Sequence, residues 1–376
     1  MRIVLLCDDG NYSLVHPLSA AISASGNSVV VIRMVEGSGH QLFKVTTEAK
    51  TYAGIEEIKV SITCRWCRNL KFCSPILLKL LNFNFKHLKA KIEQSELIHL
   101  FGESVVGDMA LTIAQRCAIP LVHSPNTLDL ISGKGPFSPA DNVKSESGVK
   151  NQTIIVEADF LKKYVPEPSY RIVEPWVATD GLSHRPKAMG SSIYFLLAGN
   201  WNDELPVLAR PKLAIKALAA AERELGKPVI LGIIGSGTRI SEFKSYCASL
   251  GIHAQFHGEL SLKDMAREFQ KADGFLHPTD FAIFPTFMIQ ALKCGVPIIA
   301  SQVEGMETYL TTPEQGLLVE NKLSAWKETL LQFANTEFDN SAIATQHKES
   351  FKFQAHIAAT LQVYNSLLLG RATLLF

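Results

Sequence analysis

The 376-residue chain is poor in charge. Only 19% of its residues are Asp, Glu, Lys or Arg, and 37 cations against 36 anions leave a formal net charge of +1. That balance argues against a general nucleic-acid binder, which needs a cationic surface. Long apolar runs are also missing: none approaches the ~18–20 residues of a membrane span. The opening MRIVLLCDDG carries one arginine and a short apolar run, then acids. It is too short and too acidic for a secretory leader and fits a first buried strand. No G-x-G-x-x-G follows a strand, so nicotinamide redox chemistry has no fingerprint here. The seven cysteines are odd in number and scattered, which points to reduced thiols in a cytoplasmic compartment. Cys64-x2-Cys67 with Cys73 has no second Cys or His pair to complete a zinc site, so no metal is expected.

What the chain does have is apolar content, at 47%, and enough length for two domains. Buried strands alternate with helical patterns through both halves, as in parallel α/β sheets. Ile3–Leu6 reads as strand, 16–24 as helix and Val29–Ile32 as strand. Further strands fall at Leu97–Phe101, 120–124, Thr153–Val156, 170–173, Ile193–Gly199 and Val229–Ile234. Gly10, after the first strand, is either a plain turn or part of a ligand loop. Between Arg65 and Lys91 lie seven cations, with no acid before Glu93 and with Trp66, Phe72, Phe83 and Phe85 interleaved. This is either a core helix with a basic face or a segment that rests on an anionic membrane. His123 reads as a core histidine.

The most informative stretch is Ala272–Gly305, ADGFLHPTDFAIFPTFMIQALKCGVPIIASQVEG. An apolar strand ends at His277-Pro278, a loop follows, and a helix runs from Thr286 to Lys293 before a glycine stop at Gly295. Val296–Ala300 is the next strand. Pro285 suits the first helical position. A loop and a helix N-terminus beyond a parallel strand are where open α/β sheets hold ligands, and where backbone N–H groups receive phosphate.

This stretch resembles the nucleotide-sugar signature of family 4 glycosyltransferases (glycosyl transferases group 1), through Pro278, Thr279, Phe284, Pro285, Ala291, Cys294, Gly295, Pro297, Ile298, Ala300, Ser301 and Gly305. The family's two E-x7-E glutamates fall on Ala282 and Gln290, so the motif is degenerate. The resemblance implies an α/β chain of the GT-B fold, two Rossmann-like domains with parallel sheets facing an interdomain cleft. It divides the chain into an acceptor-side domain, 1–176, a nucleotide-sugar domain, 177–350, and a C-terminal helix, 351–376, crossing back to the first.

It also implies a retaining transferase that moves a sugar from a nucleoside-diphosphate sugar, such as a UDP-sugar, to a glycan, lipid-linked or other acceptor. No cofactor is implied beyond that donor. The donor-binding residues implied are Gly10, Asn126 (at the family's histidine), Asn200 (at its arginine), Arg210, Gly235, Gly237, His257, Gly258, Phe284, Pro285, Thr286 and Gln290. The family's base-reading turn falls on Gln255–Gly258. Arg210 would neutralise the diphosphate, and Gln290, with an acceptor oxygen but no charge, would face the ribose. No protein nucleophile is implied. The expected place of work is the cytoplasm, with 65–91 a candidate for peripheral contact at the inner face of a membrane. Loss of both motif glutamates keeps a second expectation open: a catalytically inactive GT-B homologue acting as a binding or partner subunit.

Overall fold

The computed structural model describes residues 1–8, 11–36, 43–64, 86–102, 105–125, 152–165, 170–179, 181–186, 190–202, 210–281 and 284–373. Two compact units emerge. The first comprises Met1–Glu174 and Gln354–Phe376, the second Pro175–Phe353.

The first unit holds β1 (Arg2–Asp8), α1 (Tyr12–Ala24), β2 (Ser28–Glu36), β3 (Phe43–Tyr52), β4 (Ile55–Cys64), α2 (Lys86–Glu93), β5 (Leu97–Phe101), α3 (Val105–Cys117), β6 (Leu121–Ser124), β7 (Gln152–Val156) and β8 (Tyr170–Ile172). These strands form one sheet in the order β3-β4-β2-β1-β5-β6-β7-β8. It is parallel except at its edge, where β3 runs antiparallel to β4.

The run IVLLC is continuous because β1 is buried on both faces. Val4 and Leu6 pack with Leu88 and Ile92 of α2 and Ile113 of α3. Ile3, Leu5 and Cys7 pack on the other face with Val15, Leu18 and Ile22 of α1 and with Val363 and Tyr364. Those last two belong to the final helix, α10 in the order used here (Phe353–Thr373).

The basic stretch is partly accounted for within this unit. Lys91 Nζ lies 2.6 Å from Glu56 and Lys89 Nζ 3.9 Å from Glu93. One of these acids is Glu93, a turn further along the same helix, and the other, Glu56, is supplied in space from β4. Residues 65–85, which carry most of the membrane-contact expectation, lie outside the described residues. Among the described residues no helix is long and apolar enough to cross a membrane.

The second unit alternates strand and helix as far as β13: β9 (Ile193–Ala198), α4 (Pro211–Leu225), β10 (Val229–Ile234), α5 (Ile240–Leu250), β11 (His253–Gly258), α6 (Leu262–Lys271), β12 (Gly274–His277), α7 (Thr286–Lys293) and β13 (Ile298–Ser301), then β14 (Gly316–Val319), α8 (Leu323–Ala334) and α9 (Asn340–His347). The strand order is β11-β10-β9-β12-β13-β14, and every pairing is parallel. The order reverses between β9 and β12, a topological switch point.

α4 shows how sequence sets an element. Pro211 opens it, where a missing N–H costs nothing, and Gly226 ends it in the left-handed region at φ +67°. Ala214, Ile215, Leu218 and Ala221 form its buried stripe against Phe195, Leu231 and Trp326. One expectation needs correcting. Gln255–Gly258 is the last part of strand β11, not a turn, and the turn begins at Gly258, at φ +66°.

Candidate functional site

The carboxyl ends of β9, β10 and β11 meet at a clasp. Gly199 N–H donates to the Ile234 carbonyl at 3.2 Å and Trp201 N–H to the Ser236 carbonyl at 2.9 Å. The Trp201 indole Nε1 donates to Ile234 at 2.9 Å, and its ring lies edge-on to Phe243, 5.4 Å away. Arg239 N–H returns to the Trp201 carbonyl at 3.0 Å, and Thr238 N–H bonds Asn202 Oδ1 at 3.1 Å. The loop after β9 is therefore seated on the loop after β10.

Gly235 and Gly237 make that seating possible. A Cβ on Gly235 would come within 1.9 Å of the Gly199 carbonyl oxygen, and one on Gly237 within 2.2 Å of the Trp201 backbone. Their φ values, +110° and +150°, also exclude most side chains. Both glycines thus owe their place to the packing of the Trp201 loop, whatever ligand lies nearby.

Beside the clasp is a cavity of roughly 330 Å³, lined by Gly199, Asn200 and Asn202, by Ile234, Gly235 and Ser236, by Glu259, Leu260 and Met265, and by Phe287. It spans the β9, β10 and β11 ends and reaches the first turn of α7. Among the described residues that line it, Glu259 is the one that carries charge, and it accepts a hydrogen bond from the Ser236 hydroxyl.

Of the expected donor-binding residues, Asn200 and Gly235 line this cavity. Gly237 belongs to the clasp, and Gly258 accepts from Gly235 N–H at 2.8 Å. The His257 ring is engaged elsewhere: its Nε2 is 3.0 Å from Tyr194 Oη, which also donates to Glu268 at 2.9 Å. Burial and this carboxylate push the Tyr194 phenol well up. Phe284 packs among Tyr309 and Phe351, with ring centroids 6.0 and 5.6 Å away.

Pro285 sits at the N-cap of α7 rather than at its first helical position, and exposed Thr286 is the first helical residue. Ile289 N–H makes the first bond of the helix, to Pro285 at 3.0 Å. The amides ahead of it, at the Phe287 end of the cavity, have no acceptor within the helix. Gly10, Asn126 and Ala282 lie outside the described residues.

Two expected contacts are changed by their surroundings. Arg210 is tied on both counts: its N–H donates to the Pro278 carbonyl at 2.8 Å, and its guanidinium pairs with Asp280. Asn321 donates to the Thr279 carbonyl at 2.8 Å and accepts from Ser301 Oγ at 2.6 Å, which fixes this loop. Gln290 is 4% exposed, and its Nε2 donates to the Ala178 carbonyl at 3.2 Å. An amide is required there, because a carboxylate would confront a carbonyl in a dry site. Next to it, the buried Lys293 ammonium is held by the carbonyls of His347 and Ser350, at 2.8 and 2.6 Å.

Sequence reading missed Trp201, Asn202, Ser236, Glu259, Leu260 and Met265. A signal existed for two of them: a tryptophan directly after a strand in Gly-Asn-Trp, and an acid directly after the glycine that closes β11.

Three comparisons place this geometry among known proteins. Residues 205–349 match the family model described as glycosyl transferases group 1. The D-inositol 3-phosphate glycosyltransferase of Streptomyces scabiei is 25% identical over 297 residues, which span 69% of this chain and 66% of that protein, just under two thirds of its length. Among solved structures, the sucrose-phosphate synthase of Thermosynechococcus elongatus superposes with a TM-score of 0.68 at 17% identity, covering 98% of this chain and all of that one. Alr3699/HepE of Anabaena, solved with UDP and glucose, gives 0.60 at 14% identity, covering 98% and 99%.

Proposed function

We propose that this chain, a GT-B-fold relative of the group 1 glycosyltransferases, moves a sugar from a nucleoside-diphosphate sugar to a glycan, lipid-linked or other acceptor, with retention at the anomeric carbon. The observation that carries the reading is the cavity at the ends of β9, β10 and β11, which opens toward the first turn of α7. Its apolar wall of Ile234, Leu260, Met265 and Phe287 suits the nucleoside. The α7 N-terminus suits the phosphates, whose charge grows as the glycosyl bond breaks. Retention and the acceptor class rest on the family resemblance alone.

A second reading has its own support. With Arg210 paired to Asp280 and Gln290 bonded to Ala178, two residues at the places of donor contacts are engaged inside the protein. A binding subunit that holds the nucleotide without transferring sugar fits that arrangement.

Titration calorimetry with nucleoside diphosphates, followed by a transfer and hydrolysis assay with the matching sugars, separates the two. Binding with turnover supports the transferase, and binding without turnover supports the binding subunit. Absence of binding by every nucleoside diphosphate removes both.

A further inference from the structure

The cavity has a direction. Its walls run from Glu259, Leu260 and Met265, beyond the edge strand β11, to Phe287 on α7, which follows β12 on the far side of β9. Glu259 is exposed and presents its carboxylate at this end. One of its oxygens takes the Ser236 hydroxyl, and the other has no partner among the described residues. A dianionic diphosphate avoids that end and moves to the α7 end, where helix amides point outward. The nucleoside is left against Ile234, Leu260 and Met265, with its base beside an open carboxylate.

We infer that Glu259 reads the base of the donor and selects guanine; the inference rests on the donor site proposed above. An ionised carboxylate only accepts hydrogen bonds. Guanine presents two adjacent donors, N1–H and the N2 amine, which a carboxylate receives together. Uracil presents one N–H between two carbonyl oxygens, and both oxygens are repelled by the carboxylate. Adenine offers its N6 amine beside the N1 acceptor. Hypoxanthine keeps N1–H but lacks the N2 amine, so it isolates half of the contact. With the wrong base the exposed carboxylate keeps water as its partner, so discrimination rests on the paired charge-assisted contact that guanine completes.

The test is calorimetry of the wild type and Glu259→Gln with GDP, inosine diphosphate, UDP and ADP. Glutamine keeps the shape and an oxygen for Ser236 but loses the charge. Wild type is expected to bind GDP about tenfold more tightly than the other three. Glu259→Gln is expected to bring GDP and inosine diphosphate to within about twofold of each other and to leave UDP nearly unchanged. Equal weakening of all four nucleotides would mean that the carboxylate serves the ribose, and would overturn the inference. So would a wild-type preference for UDP that Glu259→Gln leaves intact, although the transferase reading would then stand. Failure of all four to bind wild type would remove the donor site itself.

Discussion

The strand ends of the two sheets occupy equivalent places in their units and hold opposite chemistry. In the first unit the polar groups close on one another. His99 on β5 contacts Tyr364 Oη through Nδ1 at 2.6 Å and Ser124 Oγ through Nε2 at 2.8 Å, and His123 Nε2 lies 3.1 Å from the Gly102 carbonyl. Both rings are buried, and burial lowers both pKa values, that of His123 to about 4. In the second unit β11 ends in Gly258 and β10 runs directly into Gly235, and the carboxylate beside them keeps one oxygen without a partner among the described residues. The difference teaches that a strand end in a parallel sheet leaves room for a cavity where its side chains are small or unengaged. Chemical reactivity of the residue type does not suffice.

The largest effect expected from breaking this contrast comes from Trp201, which holds the β9 loop over the glycine turn. Trp201→Ala should cost about 3–5 kcal/mol in urea unfolding, the range for deleting a buried aromatic, and should abolish nucleotide binding at the cavity. Retention of both stability and binding would show that the clasp does not shape the site.

Acid should act on the closed ends. His123 titrates near 6.5 when unfolded and about 4 when folded, so the unfolded state takes up the proton first. Its contribution is complete above pH 6.5 and drains as pH falls toward 4, at up to about 1.4 kcal/mol per pH unit. Unfolding at a series of pH values should show this slope together with those of the other buried histidines, His99, His277 and His347, and His123→Gln should lower it by one proton's share. An unchanged slope would mean that the ring is not dry.

Gln290→Glu tests whether the degenerate motif position can simply revert. Its side chain faces the Ala178 carbonyl, so the glutamate should destabilise the unit by about 1–3 kcal/mol near neutral pH, and protonation in acid should relieve the loss. Tighter nucleotide binding with no loss of stability would place the ribose at Gln290 after all. The smallest effect is expected at Asp280→Asn, which releases a half-exposed Arg210. Nucleotide binding should tighten by a factor that reflects a surface ion pair, about 0.2–1 kcal/mol. No change in calorimetry would show that Arg210 does not reach the phosphates.

Much of the architecture was legible. Leu97–Phe101, Val229–Ile234 and Thr286–Lys293 appear at the bounds read from the sequence, because apolar runs closed by Gly or Pro are strong signals. The β3–β4 hairpin was not read. Its outer strand, FKVTTEAKTY, alternates only weakly, with Phe43, Val45 and Ala49 opposed to Lys44, Glu48 and Lys50, and 46–51 are exposed, as an edge strand can be. α8 and α9 were also unread. At the site, glycines were legible as special positions but not their reason, which is a tryptophan 34 and 36 residues upstream in the chain (235 − 201 and 237 − 201). Gln290 was legible as an amide, yet its partner Ala178 is 112 residues away.

The first unit is built from both ends of the chain. Tyr364 is fully buried in the core that β1 begins, and it bonds His99 across 265 residues. During synthesis β1, β2 and β5 leave the ribosome long before the helix that completes their core. The second unit, one uninterrupted segment, can fold in that interval. The early sheet must wait with an apolar face uncovered, and the cost of closing so long a loop falls on a late step. Assembly of the protein is therefore timed by its last helix, and a nascent chain halted before Tyr364 should hold a finished second unit beside an unfinished first one.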